Sequence, residues 1–205
     1  MREKWAGGEG WRGVITHTSK YQYKNTVQGH NTVSSTEEDS DYEATIHLAG
    51  RRNEMGKPVA SVRAVASETN ILGGRGTTQC YRISEQRLEV AGSADVDEAT
   101  VTVSGNPRSG RYFVSYVLPI VKAVGTYHVS SKPGGMCNNQ FNKSMDQSTP
   151  ETNYQISGEP NVDIEGTFDP NNTETLTGTK TITVPGRNGG ERRITVTWDL
   201  TYCKP

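Results

Sequence analysis

The chain has few apolar residues. Ala, Val, Ile, Leu, Met, Phe, Trp, Tyr and Cys together make up 32% of its 205 residues, and aromatics only 7%. No apolar run reaches the ~20 residues that a membrane-crossing helix needs. The longest, 112–124 (YFVSYVLPIVKAV), is interrupted by Pro119 and Lys122. Membrane insertion as a helix is therefore excluded. An excess of one charge sign is also missing. Lys and Arg number 22 against 23 Asp and Glu, for a formal net charge of −1. That balance makes no broad field to attract nucleic acid or an anionic lipid surface, so neither is expected as a partner. Disorder does not follow from the low hydrophobicity, because disordered chains combine it with high net charge.

Catalytic signatures are absent as well. There is no G-x-S-x-G elbow, no H-E-x-x-H and no Walker pattern. Gly73-Gly74-Arg75-Gly76 lacks the spacing of a phosphate-cradling loop and reads as a Gly-rich break between strands. The four histidines are far apart in sequence. His17 takes the apolar parity of its strand and His47 the polar parity of its own, which argues against a shared metal. Carboxylates are plentiful, but a glycosidase needs two of them across a cleft, which a sequence does not display.

The opening segment, MREKWAGGEGW, lacks the apolar centre of a secretory signal. Its composition, rich in Thr, Ser and Gly, favours an extracellular or cell-envelope setting. On that reading Met1 starts after a removed signal or inside a longer polypeptide, and a cytoplasmic protein is the alternative. Cysteine is scarce, with Cys80, Cys137 and Cys203 all in polar surroundings. Exposed thiols are liabilities, so the expectation is one disulfide and one spare thiol in an oxidising compartment, with all three pairings open.

What the chain does have is alternation of period two. Ile194, Val196, Trp198, Leu200 and Tyr202 share one parity, while Thr195, Thr197, Asp199 and Thr201 share the other. Successive strand side chains point to opposite faces, so this is a ribbon with one dry and one wet side. Its partner strand, 176–184, alternates in the same way. The intervening Asn188-Gly189 suits the positive φ of a tight hairpin turn. Similar patterns cover 11–23, 32–48, 59–66, 77–90, 100–104 and 111–121. A hairpin is expected across 105–110, and Pro119 places its strand at an edge or a bulge. Residues 49–58 read as a loop, and 132–152 as a long aperiodic one.

The fold expected is all-β: an antiparallel β-sandwich of about ten to twelve strands, Ig-like or jelly-roll-like and soluble, with a closed soluble barrel as the alternative. Residues 1–10 form a flexible or partner-contacting lead. Residues 11–205 form a single domain, with a subdivision near 131–153 the other option. The Trp11-x-Gly13 opening, the Thr-rich alternation and the terminal Thr197-Trp198-Asp199-Leu200 are similar in style to secreted bacterial β-sandwich modules.

Three functions are carried forward. The first is a non-catalytic extracytoplasmic module acting by surface contact: adhesin-like, an appendage subunit or an envelope component. It would have a protein partner or self-associate. The second is a carbohydrate-binding module with structural calcium. The third is a hydrolase using strand-end carboxylates. Candidate residues are Glu38, Asp39 and Asp41 for calcium, the only cofactor considered. Trp5, Tyr112 and Tyr116 are candidates for contact with a partner or glycan, because aromatic rings suit both stacking and protein contact.

Overall fold

A computed structural model describes residues 10–106, 110–135, 144–158 and 160–203. The strands are β1 (Gly10–Gln28), β2 (Thr32–Arg52), β3 (Pro58–Gly76), β4 (Cys80–Val96), β5 (Val101–Asn106), β6 (Arg111–Tyr116), β7 (Val121–Gly135), β8 (Met145–Ile156), β9 (Ile164–Thr167), β10 (Thr175–Pro185) and β11 (Glu191–Cys203). They build two antiparallel sheets. One has eight strands in the order β10-β11-β1-β2-β3-β4-β7-β8, and the other has three, β5-β6-β9. This is the all-β sandwich expected from the alternation. The large sheet does not close, since β10 and β8 lie at its two edges. No helix among the described residues is long and apolar enough to cross a membrane.

The two sheets are very unequal. The small sheet covers only one end of the large one, and the dry parity of each long strand is buried only there. On β1, Ile15 and His17 are fully buried, yet residues 24–28 of the same strand are exposed. On β2, Tyr42, Ala44, Ile46 and Leu48 are buried, while Ser34 and Ser35 are exposed. Val114, Tyr112, Tyr116 and Ile164 face them from the small sheet. Each fully buried Ile, Leu or Val in this layer contributes about 1.5–3 kcal/mol. Three hydrogen bonds tie the layer across its thickness. Trp198 Nε1 donates to the Tyr112 hydroxyl at 3.0 Å, and Tyr42 Oη donates to the Pro119 carbonyl at 2.8 Å. His17 Nδ1 lies 2.9 Å from the Tyr116 hydroxyl. Pairing of this kind offsets the cost of burying polar groups.

The β10–β11 connection is the turn foreseen from Asn188-Gly189. A single 3-10 turn, Arg187–Gly189, carries Asn188 at φ 55° and Gly189 at φ 86°. Gly178 allows a close approach, because the Trp198 ring lies across its Cα and leaves no space for a Cβ.

Three sequence expectations fail, each for a physical reason. The 111–121 run is not one strand. β6 ends at Tyr116 and β7 begins at Val121 in the other sheet, so Pro119 sits in the crossover between layers. The Gly-rich break at 71–76 lies inside β3, where Gly73 and Gly74 pair with β2 and β4. The long loop at 132–152 is mostly strand, since β7 runs to Gly135 and β8 starts at Met145. The last two segments lie beyond the core with no second layer over either face, so they carry no dry-wet alternation to read.

Candidate functional site

Past the end of the small sheet, β1, β2, β3, β4, β7 and β8 continue side by side as a projecting blade. Register and strand parity fix which side chains share a face. One row across the blade on the core-side face is Asn25, Thr36, Leu72, Gln86, Val129 and Gln147. The next is Val27, Ser34, Gly74, Ser84, Ser131 and Met145. Neither row holds a charged residue. Val27, Leu72 and Met145 are exposed at 58%, 44% and 40%, far from any protein cover. Closer to the core, the row through Tyr23, Asn70, Leu88 and Tyr127 carries one carboxylate, Glu38. Asn188 Nδ2 donates to that carboxylate at 2.7 Å. The buried Asn70 Oδ1 in this row has no hydrogen-bond partner.

The opposite face is charged. Lys24 pairs with Glu37 at 2.9 Å, Lys20 with Asp41 at 3.6 Å, and His128 Nε2 approaches Asp146 at 3.4 Å. Arg87 bonds Glu89 on the same face. Exposed pairs of this kind add little stability. They do keep one face solvated while the other, Glu38 and the Arg82 that donates to Ser131 Oγ apart, offers uncharged amides, hydroxyls, aromatic rings and aliphatic side chains.

Where blade and core meet on the core-side face, a solvent-open crevice of about 450 Å³ is lined by Ser40, Glu68, Gln155, Ile156, Ser157, Pro160, Val184, Pro185, Gly186, Arg187 and Arg192. Arg192 Nη1 donates to Ser19 Oγ at 2.9 Å, and its guanidinium stands 5.5 Å from the centre of the Tyr21 ring. Burial, together with the neighbouring Arg187 charge, lowers its pKa from the ordinary arginine value. Tyr154 Oη donates to Glu68 Oε1 at 2.5 Å. Burial first, then the bond to that carboxylate, pushes the phenol up to about 12. The crevice is thus polar and internally paired: two guanidiniums, one carboxylate and a phenol held neutral.

The residues singled out from sequence scatter. Strand parity puts Glu38 on the uncharged face and Asp39 and Asp41 on the charged one, so the three calcium candidates do not converge. Among the described residues no group of three His, Cys, Asp or Glu is placed to hold a metal ion. Tyr112 and Tyr116 correct the contact expectation, being only 6% and 4% exposed. β6 turns them into the core because its dry face meets the large sheet, and their hydroxyls are occupied by Trp198 and His17. His47 lies on the opposite face of the sheet from buried His17, as their parities imply. Trp5 and Cys137 lie outside the described residues. Cys203 is a free, half-buried thiol at the core end of the sheet. Cys80 stands at the blade end, opposite Gly135.

Arg187, Arg192 and the blade face escaped the sequence reading. The only available signal was negative: a long stretch of strand-forming residues with Thr, Ser, Asn and Gln on one parity and no apolar partner for it.

Comparison with known proteins finds no matching family model, no similar curated protein and no similar solved structure.

Proposed function

We propose that this chain is a non-catalytic contact module of extracellular or cell-envelope type, and that the uncharged face of its blade is the surface that meets a partner. The observation that carries the reading is the division of charge across one continuous sheet. The core needs only the small-sheet end of the strands. The blade costs backbone entropy for every ordered residue and returns little buried area. Its uncharged face has the Tyr, Ser, Asn and Gly character of adaptable protein-binding surfaces, with exposed Val27, Leu72 and Met145 as apolar anchors.

Adjacent residues of β3 provide the test. Leu72 is on the uncharged face and Ile71 on the charged one. A photo-crosslinking benzoylphenylalanine at position 72, in cells that produce the protein, gives a discrete adduct, and the same probe at position 71 gives none. Equal labelling from both positions, or no adduct from either, overturns the reading.

A glycan ligand is the second reading, resting on Tyr23 and Tyr127. They occupy the same row on β1 and β7, roughly 19 Å apart at ordinary strand spacing. A glycan array on which Tyr23→Ala abolishes every hit supports it, and a blank array removes it. The hydrolase reading requires paired carboxylates across a cleft, and the lining of the crevice supplies only Glu68.

A further inference from the structure

The two edges of the large sheet are built differently. At one edge, β8 contains Pro150, a register irregularity opposite β7 between Ala123 and Gly125, and the carboxylates Asp146 and Glu151. Proline, bulges and charge are the devices by which natural sheets stop an edge from pairing with another chain. At the other edge, β10 pairs with β11 without a bulge from Thr175 to Pro185. Within the strand it has no proline before its last residue.

The hydrogen bonds at both ends of β10 show which backbone groups face outward. The Tyr202 N–H donates to the Glu174 carbonyl at 2.7 Å, and the Gly186 N–H donates to the Gly190 carbonyl at 2.7 Å. Both donors and acceptors fall on the β10–β11 register, with the even-numbered residues of β10 turned toward β11. Hydrogen-bonded pairs alternate along an antiparallel ladder. Thr175, Thr177, Thr179, Thr181 and Thr183 therefore point their N–H and C=O groups away from β11. No strand among the described residues lies on that side.

We infer that β10 pairs with β10 of a second copy of this chain, antiparallel about a two-fold axis through Thr179. This rests on the reading of the chain as a contact module and names one of its partners. The occupant follows from self-complementarity. With the axis at Thr179, Thr175 stands opposite Thr183 of the other copy, and Thr177 opposite Thr181. Every outward N–H and C=O in the run then meets its complement, and the threonines form cross-strand pairs of a favourable kind. On the core-side face, Leu176 meets Ile182. Lys180, the one charge within the strand, meets Gly178, which has no side chain to crowd it. Its Nζ is already engaged by the Asp163 carbonyl at 2.8 Å. Moving the axis two residues toward the N-terminal end shortens the ladder, and moving it as far toward the C-terminal end brings in Pro185, which has no N–H to donate, and sets Lys180 against Ile182. A two-fold axis closes the assembly at two copies, with the guarded β8 edges outermost.

Sedimentation equilibrium of the full chain across a concentration series tests this. The wild type shows a reversible monomer–dimer equilibrium. Thr179→Pro deletes an outward N–H and leaves the β11 ladder intact, so it weakens dimerisation at least tenfold while the thermal midpoint of the monomer changes little. Register is read separately. The double variant T177K/T181E sets Lys against Glu across the axis and keeps the dimer, whereas T177K/T181K sets like charges together and loses it. A wild type that stays monomeric throughout, or a dimer indifferent to both T179P and T177K/T181K, overturns the inference. Neither outcome touches the blade, whose crosslinking from position 72 is scored independently.

Discussion

Trp198 on β11 donates its indole N–H to the hydroxyl of Tyr112 on β6, 3.0 Å away, and both side chains are buried. The bond joins the two sheets where the small one is only three strands wide. Replacing Tyr112 with Phe leaves the indole donor buried and unpaired. That costs the desolvation of the group, about 1–3 kcal/mol, more than the net value of the bond itself. Urea unfolding followed by far-UV circular dichroism measures the loss. A Y112F/W198F cycle isolates the coupling, and two single effects that simply add would show that the bond is not the cause.

His17 gives the fold an acid limit. The ring is fully buried, and burial, foremost, lowers its pKa from 6.5 to about 4. The Gly158 backbone opposes that shift, and the Arg192 charge adds to it. Nε2 has no hydrogen-bond partner. A depressed histidine pKa means that the unfolded chain takes up a proton before the folded one does. The full stability is therefore present above pH 6.5 and is lost progressively between 6.5 and 4, by about 3 kcal/mol in all. Urea midpoints at stepped pH check this. His17→Gln removes most of the slope in that window, and a variant whose slope matches the wild type would assign the acid sensitivity elsewhere.

Where one face of a strand was dry, the sequence showed the strand. Ile194, Val196 and Leu200 are fully buried and were legible at once, as were Tyr42, Ala44 and Ile46. The same rule hid the blade. Residues 71–76 and 132–135 hydrogen-bond in a regular ladder, but no second sheet covers either face there, so no dry side imposes a period. The division into layers was hidden for another reason. Nothing local distinguishes β6 from β7 except Pro119, and the crossover there is set by the sheet each strand joins. The proposed contact surface lies where alternation fails, so pattern reading alone does not reach it.

Gly178 reports on the packing of Trp198. A Cβ built there falls 2.4 Å from Trp198 Cζ2, inside any allowed contact, and the ring is only 8% exposed. The indole cannot swing away without leaving Tyr112, so Gly178→Ala forces β10 and β11 apart or turns the ring. Overpacking of this kind costs about 1–3 kcal/mol. The variant unfolds at lower urea and shows altered near-ultraviolet circular dichroism from the indole. An unchanged midpoint would mean that the ring adjusts freely and that the Tyr112 bond does not hold it.

The topology also settles one cysteine pairing. Cys80 stands at the blade end of β4, opposite Gly135, beyond the level of Val33 on β2. Cys203 is opposite Gly10 at the other end, on a level near Arg51. Most of β2 runs between the two levels, a span on the order of 50 Å at ordinary strand rise. A disulfide needs Cα atoms within about 7 Å. Of the three pairings open on sequence, the one between Cys80 and Cys203 cannot form within a folded monomer. Peptide mapping of alkylated, non-reduced protein recovers no linked Cys80 and Cys203 peptides from the monomer fraction. Their recovery would mean that β2 does not run unbroken from the blade tip to the core, and the blade as a rigid extension of the sandwich would fall with it.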